Sequence, residues 1–201
     1  MPRTGPEIIK VDPYKGKLKD IKRVIEVINN GGIAIVPTDT VYGIGASIKF
    51  PSSVEKIFEI KKRERNKPLP ILIASWHEAS RIAGRVTQRV RIWMKEYWPG
   101  PITFLIYDRS GKKVGLRVPD LPITLKLLSK TGPLATTSAN LSGKGSVRSF
   151  NKIDKRILSK VDIAIDAGTC PLGKDSTVVD ISGPKPVIVR PGGGFFPVEF
   201  E

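Results

Sequence analysis

Six short segments concentrate hydroxyls, amides and cations. PTDTVYGIG, at 37–45, follows an apolar run. It is too polar for a strand and too glycine-rich for a helix, so a loop is expected. Its hydroxyls and backbone N–H groups could face a ligand; the same composition also suits a tight turn capped by its own side chains. KKRERNKP, at 61–68, closes a helical stretch, where cations suit the helix dipole whether or not they do chemistry. Lys61 and Arg63 are separated by one residue, a spacing that in extended backbone aims both side chains the same way. A guanidinium fork beside an ammonium makes a grip for polyphosphate. VGLRVPD (114–120) sets Arg117 late in an apolar strand, and TTSANLSG (136–143) gathers Thr136, Thr137, Ser138, Asn140 and Ser142 after another. Such neutral groups bind ribose, amino acid or phosphate. DSTVVD (175–180) contributes Ser176 and Thr177, and VIVRPG (187–192) ends a strand on Arg190.

None of these is a Walker A loop or a GxGxxG turn, and HExxH and GxSxG are absent as well. With one histidine (His77) and one cysteine (Cys170), a zinc site of the usual kind is not expected, and no protein metal ligand is assigned. Cys170 reads as a small buried apolar residue. What remains is a set of hydroxyls and cations near strand ends, suited to an anion in a cleft.

The elements that must position them follow from periodicity. Apolar residues at three- and four-residue spacing predict helices at 18–30, 51–61, 76–83, 87–97 and 121–130, with a short one at 151–159. Strands are predicted at 8–11, 33–36, 69–74, 102–107, 114–118, 133–137, 161–166, 177–181 and 187–190, the 102–118 pair forming a hairpin. Helices and strands alternate without strict βαβ units, which argues for a mixed sheet in an α/β or α+β domain. The chain of 201 residues fits a single domain spanning 1–201, with a core at 8–192 and a tail at 193–201. No segment reads as a signal peptide or membrane span, so a soluble protein of the reducing cytoplasm is expected. The net charge of +15 fits either a polyanionic partner or a solubilising surface.

In this order, PTDTVYGIG, the Lys61–Arg63 pair, KPLPILI, PGPITF, GLRVP, TSANLSG, DSTVVD and VRPG resemble the YrdC/TsaC family, the threonylcarbamoyl-AMP synthases. The resemblance covers nearly the whole chain up to Gly192. It implies an α/β fold: a twisted open mixed sheet flanked by helices around a deep, positively charged cavity. It implies an enzyme, a nucleotidyltransferase that condenses L-threonine, bicarbonate or carbon dioxide, and ATP into threonylcarbamoyl-AMP and pyrophosphate. Mg²⁺ is expected with the ATP, held by phosphates and water. Partner proteins of a transfer complex would then carry the group to an adenosine of tRNA. The family's Lys-Arg-Ser-Asn group falls on Lys61, Arg63, Ser138 and Asn140, implied to be catalytic and to hold ATP together with Thr136, Ser146 and Arg190. Thr38, Thr40, Arg117 and Ser176 are the implied threonine pocket, and Tyr42 reads as a packing residue.

The chain departs from the family in two places. Lys62 stands where family members often have glycine, and Gly145-Ser146-Val147-Arg148 replaces a proline-rich stretch. Longer relatives carry a second domain after VRPG. Two other readings compete. One is a basic module binding double-stranded RNA or tRNA without catalysis: 56–95 holds 11 Lys/Arg against 3 Glu. The other is a related enzyme making a carbamoyl adenylate for another acceptor.

Overall fold

The computed structural model describes residues 5–197. Ten strands form one sheet: β1 (Glu7–Lys10), β2 (Ala34–Val36), β3 (Gly43–Ser47), β4 (Ile71–Leu72), β5 (Ile102–Tyr107), β6 (Lys113–Arg117), β7 (Leu134–Ser138), β8 (Ile163–Asp166), β9 (Thr177–Asp180) and β10 (Val187–Arg190). Their order is β1-β8-β2-β3-β7-β4-β6-β5-β9-β10. The sheet is mixed: β1–β8, β2–β8, β4–β6 and β5–β9 are parallel, the other pairs antiparallel. The helices are α1 (Lys22–Asn29), α2 (Pro51–Lys61), α3 (Trp76–Ile82), α4 (Gln88–Tyr97), α5 (Pro122–Thr131) and α6 (Lys155–Leu158), with 3₁₀ turns at Leu18–Ile21 and Phe150–Lys152. This is the α/β mixed open sheet expected from the sequence. Among the described residues, no helix is long and apolar enough to cross a membrane.

Strand alternation divides the core into two faces. Ile35 of β2 and Ile33 just before it point to a cluster with Ile57 and Phe58 of α2, while Ala34 and Val36 point to one with Val24 and Leu127 of α1 and α5. The α2 face continues into an aromatic layer where Ile102, Phe104 and Ile106 of β5 meet Trp93 and Met94 of α4. Helices α2, α3, α4 and α6 thus cover one face. On the other, α1 and α5 cover the β1-β8-β2 side and leave the side chains of β7, β4, β6 and β5 lining an open concavity.

Three expectations need correction. First, 43–47 is a central, buried strand and not a loop. The glycines hid it: a Cβ at Gly43 would lie 2.6 Å from Thr136 Cγ2, and one at Gly45 would lie 2.8 Å from Thr136 Oγ1. Thr136 therefore packs across two residues that had to lack side chains. Second, the strand at 69–74 shortens to Ile71–Leu72, and the helices at 18–30 and 151–159 each begin as 3₁₀ turns. Third, the described part of the 193–201 tail is anchored. Phe196 is buried against Trp93, Tyr97 and Phe104; residues 198–201 lie outside the described residues.

Candidate active site

The eleven residues singled out from sequence gather around the uncovered concavity and two adjoining depressions. The central one has a volume of about 120 Å³ and is lined by Thr38, Thr40, Arg63, Arg117, Thr136, Ser138, Ser176 and Arg190. A flanking depression shares Arg63 and Ser138 with it and adds Lys61 and Asn140. The opposite flank shares Arg190 and adds Ser146.

Lys61 is the last residue of α2 and is 2% exposed. Its Nζ donates to the Ser138 carbonyl and lies 3.5 Å from Ser138 Oγ and 3.4 Å from Asn140 Oδ1. All three acceptors are neutral, and no carboxylate of the described residues forms an ion pair with it. Burial, reinforced by the charge of Arg63, lowers its pKa from 10.5 to about 8. The extended K-x-R geometry does not occur. Lys62 takes a left-handed conformation (φ 53°) that ends α2, and the Arg63 N–H closes the turn on the Phe58 carbonyl at 2.9 Å. Lys61 is thereby turned inward, while Arg63 leaves the helix with its Nε on the Lys67 carbonyl at 2.8 Å. Burial and the nearby charge of Arg190 lower the Arg63 pKa. Asn140 holds its own loop, its Nδ2 donating to the carbonyls of Leu141 (3.2 Å) and Lys144.

Arg117, at the end of β6, is buried beneath the centre. Its Nε donates to the Gly100 carbonyl at 3.0 Å, its Nη1 to Thr40 Oγ1 at 2.8 Å, and its Nη2 to Asp39 Oδ1. Of five N–H groups, one on each terminal nitrogen is left without a partner among the described residues. Burial pulls its pKa down while Asp39 pushes it back up. The second oxygen of Asp39 is buried and unpartnered.

Other hydroxyls are committed within the protein. Thr38 Oγ1 donates to the Val41 carbonyl (2.7 Å) and accepts from the N–H groups of Thr40 (3.2 Å) and Val41 (3.1 Å). Thr40 Oγ1 lies 2.8 Å from it. Both threonines line the cavity, but their hydroxyls shape the loop and hold Arg117, as the capped-turn reading of PTDT anticipated. Thr124 Oγ1 of α5 ties the loop's start through the Pro37 carbonyl at 2.7 Å. Ser176 Oγ is 2.8 Å from Thr103 Oγ1, and Arg190 donates to the Ser176 carbonyl at 2.8 Å. Ser146 Oγ donates to Asp175 Oδ1 at 2.7 Å. A Cβ at Gly192 would fall 2.3 Å from the Asp175 carbonyl oxygen, which explains the glycine of VRPG.

Three site residues were not singled out from sequence: Asp39, Thr103 and Asp175. Each sat inside a quoted motif, and the signal for Asp39 was a carboxylate flanked by two threonines, Thr38 and Thr40, in a loop after an apolar run. Tyr42 is buried, its hydroxyl donating to the Gly168 carbonyl (3.1 Å) and accepting from the Ala167 N–H (3.0 Å), so it packs as expected. Cys170 is buried too, its thiol pushed up to about 11 by burial. Among the described residues no group of three His, Cys, Asp or Glu gathers to hold a metal.

Comparison with known proteins gives this arrangement relatives. The family model for Sua5, YciO and YrdC proteins, described as "Telomere recombination", matches residues 26–192. A putative threonylcarbamoyl-AMP synthase of Methanocaldococcus jannaschii is 37% identical, over 92% of this chain and 93% of its own. The crystal structure of Pyrococcus abyssi Sua5 complexed with L-threonine superposes with a TM-score of 0.87 at 33% identity, covering 92% of this chain and 57% of that one. Escherichia coli YciO gives 0.85 at 27% identity, covering 94% and 97%. The chain therefore spans nearly all of some relatives and little more than half of others.

Proposed function

Since the chain belongs to the Sua5–YciO–YrdC family, we propose that it is a threonylcarbamoyl-AMP synthase, condensing L-threonine, bicarbonate or carbon dioxide, and ATP into threonylcarbamoyl-AMP and pyrophosphate. The observation that carries this reading is the pairing, around one concavity, of a buried ammonium that no carboxylate contacts with a guanidinium that keeps two N–H groups free. The first suits a polyphosphate, the second an amino-acid carboxylate.

The threonine carboxylate sits on the free N–H pair of Arg117, in a pocket shaped by Thr38, Thr40 and Ser176. The threonine nitrogen adds to the carbon of carbon dioxide and loses a proton, giving a carbamate. A carbamate oxygen bonds to the α-phosphorus as the α–β P–O bond breaks, and pyrophosphate leaves with the electron pair. Negative charge accumulates on phosphate oxygens, where Lys61 and Arg63 are already fixed by Ser138, Asn140 and the 67–68 backbone. Preplaced cations of this kind lower the barrier without reorganising during the reaction. Thr136, Ser146 and Arg190 bind the nucleotide. ATP enters as its Mg²⁺ complex, the ion held by phosphates and water. Downstream, a transfer complex uses the product to modify tRNA.

The test is pyrophosphate release from ATP and bicarbonate, with and without L-threonine, followed by mass analysis of the adduct. Threonine-dependent release with a threonylcarbamoyl-AMP product is expected. Release that ignores threonine would favour another acceptor, and no release from folded protein would overturn the reading.

A further inference from the structure

The sheet sets a row of side chains across the floor of the central cavity. Leu72 of β4 pairs with Arg117 of β6, Thr103 of β5 with Val178 of β9, and Val178 with Arg190 of β10. The β5–β6 register, with Phe104 opposite Leu116, puts Thr103 beside Arg117. Residues paired across strands share a face, so Thr103 stands between two arginines, and all three line the cavity. Phe104 points the other way, into the aromatic layer. Ser176, just before β9, joins the row: its Oγ lies 2.8 Å from Thr103 Oγ1 and 3.3 Å from Arg190 Nη2.

The protons of this cluster can be placed by elimination. A guanidinium only donates, so Arg190 occupies one lone pair of Ser176 Oγ. Thr103 is 2% exposed, and its hydroxyl has no other acceptor among the described residues. Were Ser176 to donate to Thr103, the Thr103 proton would be shut in without a partner, which costs the full desolvation of that group. The Thr103 proton therefore goes to Ser176 Oγ and occupies its second lone pair. Both protein partners of Ser176 Oγ are then donors, and its own proton is unspent. Ser176 lines the cavity, so that proton points to whatever oxygen lies between Arg117 and Arg190. The Thr103 methyl packs over Gly115, where a Cβ would come within 3.2 Å of it. That contact holds a stiff β-branched χ1 and keeps the hydroxyl on the Ser176 side.

We propose that Thr103 is a positioning residue: by donating to Ser176 Oγ it fixes the Ser176 hydroxyl as a donor to the carboxylate of the amino-acid substrate, alongside the free N–H groups of Arg117. The inference rests on the synthase reading given above. Thr103 acts through Ser176 and makes no contact of its own with the substrate.

The experiment measures L-threonine binding by calorimetry, and the KM values for threonine and ATP by pyrophosphate release. It compares wild type, Thr103→Val, Thr103→Ser, Ser176→Ala and the Thr103→Val/Ser176→Ala double variant, with urea midpoints to show that each is folded. Valine keeps the shape of Thr103 and removes its donor. It should raise the threonine Kd and KM about tenfold, the low end for a hydrogen bond lost to a charged group, and leave the KM for ATP level. Thr103→Ser, which restores the donor, should recover most of the affinity. The double variant should bind threonine no more weakly than Ser176→Ala, since the two residues act in series. An unchanged threonine Kd in Thr103→Val, a shift in the KM for ATP instead, equal losses with valine and serine, or additive losses in the double variant would each overturn the proposal. Wild type that binds threonine yet releases no pyrophosphate would sink the synthase reading alone, and the binding comparison would still decide the role of Thr103. Wild type that binds no threonine would sink both.

Discussion

Two cations are buried in the same cleft, and they are held in opposite ways. Arg117 is 5% exposed and answered by a carboxylate, a hydroxyl and a carbonyl. Lys61 is 2% exposed and answered by neutral oxygens alone. A buried charge is tolerated when paired and costly when not. The Arg117 half is therefore a finished receptor that exists before its ligand arrives. The Lys61 half is held above its resting energy until an anion enters. The site divides into a part stabilised by folding and a part stabilised by binding.

The largest effect should come from breaking the finished half. Asp39→Ala leaves Arg117 buried without a counter-charge and should cost about 3–5 kcal/mol of stability, read as the urea midpoint at constant slope. Asp39→Ala combined with Arg117→Met should recover most of that loss, because the Asp39–Arg117 pair is itself imperfect: one Asp39 oxygen has no partner. A double variant as unstable as the single one would show that Asp39 acts through the loop and not through Arg117.

The second effect inverts the pattern. Lys61→Ala should lower kcat/KM for ATP by about 10²–10³-fold, the usual consequence of removing one preplaced charge-stabilising group. Stability should stay level or rise, since an uncompensated ammonium has gone. Pyrophosphate release and the urea midpoint, measured on one preparation, separate the two. Loss of both together would mean that Lys61 is as compensated as Arg117, and the division would fail.

That contrast was only half legible in the sequence. Periodicity placed α2, the β5–β6 hairpin and the strand ends carrying Arg117, Ser138 and Arg190, because those segments keep strong apolar spacing. It lost β3, whose glycines exist only because Thr136 crosses them from β7, a contact 91 to 93 residues away in the chain. The eleven site residues were found as types in motifs, yet their states were not. That Thr38 bonds its own loop, that Lys62 turns Lys61 inward, and that Asp39 contacts Arg117 while no carboxylate lies in contact with Lys61 all depend on long-range packing. Thr103 sat within PGPITF. Its place in the cleft appears only once β5 is seen to carry Thr103 on one face and Phe104 on the other.

The finest test of the difference between the two cations is pH. Burial holds the Lys61 ammonium near a pKa of about 8, against 10.5 for a free lysine. Between those values the unfolded chain binds more protons at this position than the folded one. The contribution of Lys61 to stability without ligand therefore rises with pH across that window, by at most about 1.4 kcal/mol per unit. ATP affinity runs the other way. Below pH 8 the ammonium is already charged and binding takes up no proton. Above it, each phosphate complex must reprotonate Lys61, so Kd should climb by up to about tenfold per unit until the pKa of the bound state is reached. Lys61→Arg should flatten that climb, since a guanidinium keeps its charge through the whole range. Titrating wild type and variant with ATP from pH 7 to 10, alongside urea midpoints, gives both slopes. An ATP Kd that stays flat to pH 10 in wild type would mean the buried ammonium is already compensated, and the two cations would differ in position only.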